Sequence, residues 1–93
     1  MTQPARYRLI ITRTARRQLA ERLPDSVAFA AHEFITGPLL DNPHRVGKRL
    51  LPPLSDRFSA RRGTYRVLYR IDDEARTVSV VAVGSRADIY RPS

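Results

Sequence analysis

Between Arg57 and Gly84 the chain places apolar side chains at every second position in three successive runs, with turn residues between them. Phe58 and Ala60 alternate with Arg57, Ser59 and Arg61; Tyr65, Val67, Tyr69 and Ile71 alternate with Arg66, Leu68 and Arg70. Successive side chains of a strand point to opposite faces, so this spacing buries one face and exposes the other. Arg62-Gly63 joins the first two runs, and a polar turn of Asp72, Asp73, Glu74 and Ala75 leads into Thr77 to Gly84. That last run is rich in valine and nearly continuous in hydrophobicity, as in a central strand covered on both faces. Three strands joined by short turns make an antiparallel meander, and the preceding chain has to supply what covers its apolar face.

Tyr7, Leu9 and Ile11 alternate with Arg8 and Thr12, which predicts a first strand. Ala15, Leu19 and Leu23 then recur every four residues with Arg13, Arg16, Arg17 and Arg22 off the stripe, an amphipathic helix that Pro24 ends. Asp25 or Ser26 is placed to cap a second helix, whose Val27, Ala30, Ala31 and Phe34 share a face until Thr36-Gly37-Pro38. Gly37, Pro38, Pro43, Gly47, Pro52 and Pro53 make residues 37–53 mostly loop, with a brief strand at Arg49 to Leu51. The expectation is one α+β domain over residues 1–93. An N-terminal strand and a helical hairpin pack on one side of a mostly antiparallel β-sheet, and the other side is free to bind.

Charge says what that side would bind. The 17 basic and 9 acidic residues give a formal charge of +8, and sixteen of the cations are arginine, Lys48 being the one lysine. From His44 to Arg70 the basic residues are Arg45, Lys48, Arg49, Arg57, Arg61, Arg62, Arg66 and Arg70, while Asp56 is the only acid. A solvated face mixes signs; one that does not calls for an external polyanion, and arginine's planar fork matches phosphate oxygens. The chain has no cysteine and two histidines, which excludes disulfides, thiolate nucleophiles, cysteine-based zinc sites and a three-histidine metal cage. The longest apolar run, Val27 to Ala31, is far short of the roughly 20 residues of a membrane span. With no basic-then-apolar signal at the start, the cytoplasm is the expected location.

Gly63-Thr64-Tyr65-Arg66-Val67-Leu68-Tyr69, then the acidic turn, the valine-rich strand, Val83-Gly84-Ser85-Arg86 and Tyr90, form a layout that extends back through the chain. Thr12-Arg13-Thr14-Ala15 opens the first helix, Leu23-Pro24 closes it, and Asn42-Pro43 and Gly47-Lys48-Arg49-Leu50 precede the meander. Over nearly its whole length the sequence resembles the RelE/ParE superfamily of bacterial toxins, the RelE branch more than the ParE branch. The resemblance implies a RelE-like microbial RNase toxin fold and a type II toxin acting as an mRNA interferase. Such toxins enter the ribosomal A site, cleave the exposed codon without a metal or other cofactor, and are neutralised by a cognate RelB-like antitoxin. An antitoxin with an acidic segment, in a hetero-oligomeric complex, and the ribosome with its mRNA are thus the implied partners; a membrane is not.

Cleaving RNA without a metal requires the 2′-hydroxyl to attack the adjacent phosphate, a base and an acid to move two protons, and a cationic clamp for the extra charge. Arg66 and Arg86 match arginines that RelE-like toxins use at the active site. Arg57 lies where the pattern has a catalytic lysine, and Ser59, on the same strand face, where it has a second. Tyr90 resembles the family's C-terminal tyrosine, which stacks on a base or takes part in proton transfer. Arg61 and Arg62 are expected on the RNA backbone, with Arg45, Lys48 and Arg49 gripping ribosomal RNA. Arginine stays protonated and is a poor base, so the base is left open. Ser59 also fits a non-catalytic nucleic-acid-binding homologue, and the scaffold would serve a ParE-like DNA gyrase inhibitor, although the Arg66, Arg86 and Tyr90 set argues against that. His44 matches no catalytic position and reads as a surface residue. His32 reads as structural or solvent-facing, and Asp72, Asp73 and Glu74 as a solvated turn rather than a metal site.

Overall fold

The structure, a computed structural model, describes residues 6–84. Strand β1 (Arg8–Ile11) leads into α1 (Arg13–Arg17), which widens into a π-helical turn over Gln18–Arg22; α2 (Asp25–Thr36) follows. Two one-turn helices, α3 (Pro38–Asp41) and α4 (Pro43–Val46), precede β2 (Lys48–Arg49), β3 (Phe58–Arg62), β4 (Tyr65–Asp72) and β5 (Thr77–Gly84). The five strands form one sheet in the order β1-β5-β4-β3-β2. Only the β1–β5 pair is parallel, so the sheet is mostly antiparallel as the alternation implied.

The apolar positions read from the meander face the helices. Phe58, Ala60, Tyr65, Val67 and Tyr69 are buried with Ala15, Ala31, Phe34, Ile35 and Leu39 in the main core. The Tyr65 hydroxyl donates to the Ala30 carbonyl, 3.3 Å, fastening α2 to β4. β5 is central, between β1 and β4; on the far face Ala82 and Gly84 are buried, as a strand covered on both faces requires, while Thr77, Ser79 and Val81 are only partly covered. There Leu68 and Ala82, joined by Leu50 and Val81, make a small second apolar cluster. Leu68 pairs with Ala82 and Tyr69 with Val80, so Val81 is the extra residue of a β-bulge, which bends β5 and brings Val81 to this cluster.

β1 pairs with β5 only as far as Val80. Beyond it the first helix takes over the edge: the Thr12 hydroxyl donates to the Val81 carbonyl and accepts from the Ala15 amide, and the Gln18 side-chain oxygen accepts from the Val83 amide at 2.7 Å. An N-cap and a glutamine thus replace a strand along that edge.

Three details differ from the sequence reading. The first helix is not a uniform α-helix, because its second half widens over Gln18–Arg22 while Leu19 and Leu23 still pack on the core. No side chain caps α2, and Asp25 is already its first helical residue. Residues 37–53, expected to be mostly loop, hold α3 and α4. Pro38 and Pro43 each occupy the first helical position, where a proline's missing N–H is no loss, and so start these turns instead of preventing them. The brief strand there is Lys48–Arg49 rather than Arg49 to Leu51. The β3–β4 turn is two residues long, with Gly63 at φ 57°, a conformation that favours glycine.

Candidate nucleic-acid interface

On the sheet face away from the helices, β3 and β4 align their outward side chains in register: Ser59 opposite Leu68, and Arg61 opposite Arg66. On the other flank of β3, Lys48 of β2 pairs with Ser59. The end of α4 and the residues before β2 rise beside this face, and together they bound an open concavity of about 500 Å³. Among the described residues five cations line it, Arg45, Lys48, Arg61, Arg62 and Arg66, together with Val46, Gly47, Leu50 and Ser59, and no described carboxylate does. Arg61 and Arg66 lie directly opposite in the sheet, a like-charge register that an anion between them would favour.

Gly47 lets the wall approach this closely. A Cβ there would lie 2.3 Å from the Tyr69 hydroxyl oxygen and 2.9 Å from the Ser59 carbonyl oxygen, well inside contact distance. The Tyr69 hydroxyl in turn donates to the Pro43 carbonyl at 2.6 Å, holding α4 against the sheet. Burial pushes the Tyr69 pKa up to about 12, against a weaker opposing effect of Arg62, so the hydroxyl remains a donor at neutral pH.

The residues singled out in the sequence divide between those that line the concavity and those that do not. Arg45, Lys48, Ser59, Arg61, Arg62 and Arg66 come together around the concavity. Arg62 lines it, but its guanidinium lies 4.5 Å from the Phe34 ring centre and donates to the Arg61 and Val46 carbonyls, tying β3 to α2 and α4. Arg49 pairs with Phe58 rather than with Ser59 and is not in the wall; it stacks 4.7 Å above the Phe58 ring and donates to the Ser55 carbonyl. Arg57 is not in the wall either. It immediately precedes β3, and its Nε lies 4.0 Å from an Asp56 carboxylate oxygen. Arg86 and Tyr90 lie outside the described residues.

The chain-linear reading missed one polar cluster. His44 Nε2 lies 2.9 and 3.0 Å from the two carboxylate oxygens of Asp73, and the Tyr7 hydroxyl donates to the first of these at 2.5 Å. The Tyr7 hydroxyl and then His44 hold the Asp73 pKa below its usual value, and the same bond to Asp73 raises that of Tyr7. His44 also meets the Phe58 ring edge-on, so the cluster joins α4 to the β4–β5 turn on the helix side, away from the concavity. Tyr7, His44 and Asp73 are far apart in sequence, and no local pattern announces their meeting. Among the described residues no three histidine, aspartate or glutamate side chains converge as a metal site would require.

Comparison with known proteins agrees with this architecture. The sequence profile described as the ParE toxin of type II toxin-antitoxin system, parDE, matches residues 7–90. The chain is 49% identical over 85 residues to Toxin RelE of Mycobacterium tuberculosis, covering 91% of this chain and 87% of that protein. It is 54% identical over 85 residues to Toxin RelG of the same organism, covering 91% and 97%. A chain in the crystal structure of the M. tuberculosis toxin-antitoxin complex RelBE2 superposes with a TM-score of 0.84 at 50% identity, over 92% of this chain and 98% of that one. A chain of the intact E. coli RelBE complex shares the fold with a TM-score of 0.70 at 22% identity, over 85% and 95%.

Proposed function

This chain belongs to the RelE/ParE family of type II toxin–antitoxin toxins, and from that premise we propose that it is a ribosome-dependent, metal-independent endoribonuclease that cleaves mRNA and arrests translation in the cytoplasm. The observation that carries the reading is the convergence, among the described residues, of five cations and no carboxylate around one concavity on the open sheet face. In the reaction the 2′-oxygen bonds to phosphorus as the bond to the 5′-oxygen breaks, leaving a 2′,3′-cyclic phosphate and a 5′-hydroxyl. Negative charge builds on the non-bridging oxygens, where the Arg61 and Arg66 guanidinium groups stabilise it more than they stabilise the ground state. The 5′-oxygen needs a proton as it departs. Of the five cations Lys48 alone can deliver one, since arginine does not give up its proton under these conditions.

Arg86 and Tyr90 complete the proposed site through the family resemblance, Arg86 as a further clamp and Tyr90 as a stacking or proton-transfer group. The 2′-hydroxyl proton passes to water in the open concavity, since the guanidinium groups around it cannot accept one. A site without a strong base depends on the ribosome to hold the message in attack geometry. The neutralising partner proposed is a RelB-like antitoxin whose acidic segment covers these arginines, since opposite charge speeds capture. The complex RelBE2, whose toxin chain is 50% identical to this one, supports that partner.

The ParE description of the matching family favours a second reading, inhibition of DNA gyrase on the same scaffold. Induced expression with mapping of transcript 5′ ends separates the two. Codon-phased cuts that Arg66→Ala abolishes are the expected result. DNA damage without cuts would replace this reading with the gyrase one, and neither effect would leave a non-catalytic nucleic-acid-binding homologue.

A further inference from the structure

Helix α4 feeds the wall of the concavity, yet it cannot hold its own position. It is a single turn, closed where the Arg45 and Val46 amides donate to the Asn42 carbonyl, and so short a helix is unstable by itself. Arg45, Val46 and Gly47 run from it directly into the wall, and Lys48 follows. Where these residues stand is therefore set by whatever fixes α4 from outside.

The fasteners are side chains of the sheet and its turns. The Tyr69 hydroxyl donates to the Pro43 carbonyl, and Arg62 donates to the Val46 carbonyl at 3.4 Å. From the side away from the concavity, Asp73 of the β4–β5 turn takes hold of His44 through both carboxylate oxygens, 2.9 and 3.0 Å from Nε2. A ring N–H donating to a carboxylate is charge-assisted, and such bonds are stronger than those between neutral groups. Asp73 is itself fixed, since the Tyr7 hydroxyl donates to it and Arg76 lies 4.2 Å over the Tyr7 ring. The His44 ring meets Phe58 edge-on, and Phe58 stacks on Tyr69, so the fasteners brace one another. His44 does not line the concavity, but the next residue, Arg45, does.

We propose that His44 and Asp73 are positioning residues for RNA cleavage: their bond holds α4 against the β4–β5 turn and so sets where Lys48 and Arg45 stand beside the scissile phosphodiester. Neither residue touches the RNA. Loosening the bond lets the wall drift, which leaves the charge that attracts RNA in place and spoils the alignment that delivers a proton. The inference rests on the nuclease reading for its effect on cleavage, and on the geometry of α4 for the hold itself.

The test compares the wild type with His44→Ala and His44→Gln on ribosomes programmed with a defined message. His44→Ala removes none of the cations around the concavity, so KM should stay within about twofold while kcat falls about tenfold or more, a displacement of about 1 Å being enough for such a loss. His44→Gln, whose amide nitrogen can take the place of Nε2, should recover most of kcat. Combined with Lys48→Arg, His44→Ala should cost little more, since residues that act as a unit are not additive. Tyr65→Phe, which unfastens α2 from β4, should lower the melting temperature and leave kcat unchanged. Hydrogen exchange at the Arg45 and Val46 amides reads the hold without cleavage and should quicken in His44→Ala but not in Tyr65→Phe. A kcat loss that merely tracks melting temperature across these variants, that glutamine does not recover, or that adds in full to that of Lys48→Arg overturns the proposal, as does unchanged exchange. If the wild type cuts no ribosome-bound message, the nuclease reading falls and exchange alone decides whether His44 holds the wall. If His44→Ala cuts as fast as an active wild type, the reading stands and the proposal falls.

Discussion

Lys48 differs from every other cation of the chain in one chemical respect, the ability to release a proton, and it lies in the concavity opposite Ser59. Lys48→Arg keeps the charge and should hold RNA within about twofold of the wild type, while cleavage on the ribosome falls by about 10² or more, the scale of general acid catalysis. Equal losses of binding and cleavage would reduce Lys48 to a phosphate contact. At Gly47 a methyl group meets Tyr69, so Gly47→Ala should cost about 1–3 kcal/mol and lower the melting temperature measured by circular dichroism. The Tyr69 hydroxyl, pushed up to about 12 by burial, keeps its proton in the folded state where the unfolded chain loses it from about pH 10. A raised pKa gives stability that is complete below the unfolded value and is lost as pH climbs through the folded one. Stability should therefore decline from about pH 10 toward pH 12. Tyr69→Phe should flatten that decline and cost about 1–2 kcal/mol at neutral pH, because the Pro43 carbonyl loses its donor. Parallel alkaline melts of the two proteins would contradict this.

At the scale of elements, legibility followed periodicity. The meander was readable because period-two alternation survives in Phe58, Ala60, Tyr65, Val67 and Tyr69, all buried as the spacing required. α3 and α4 were not, because four-residue helices are too short to show a period and their prolines stand at starts, not breaks. The candidate site was legible in part for the same reason. Alternation puts Ser59, Arg61 and Arg66 on one face and turns Arg49 away from Lys48, whereas Arg62 still reaches the rim of the concavity from the other face. What no periodicity encodes is the meeting of Tyr7, His44 and Asp73 across β1, α4 and the β4–β5 turn. The Asp73 pKa is lowered, so its contribution is present above about pH 4 and is lost as pH falls through the depressed folded value. Asp73→Asn should make the acid limb of a stability–pH profile shallower; an unchanged limb would show that the cluster does not hold these elements together.

For the whole molecule, the formal charge is +8, and on the face away from the helices the sheet leaves Arg61, Arg66 and Lys48 around one concavity. Binding to single-stranded RNA should accordingly weaken steeply with salt, with a log–log slope of about −0.7 for each phosphate neutralised. Arg66→Ala should reduce the steepness by about one such unit, whereas an unchanged slope would place the phosphate contact elsewhere. The central claim is that this concavity holds a scissile phosphodiester which the ribosome presents. It is tested most directly by adding the purified protein to ribosomes programmed with a defined message and mapping the cut. The account predicts cleavage within the A-site codon, little cleavage of the same RNA alone, and none with Arg66→Ala; equal cutting of naked RNA, or full cutting by Arg66→Ala, would contradict it.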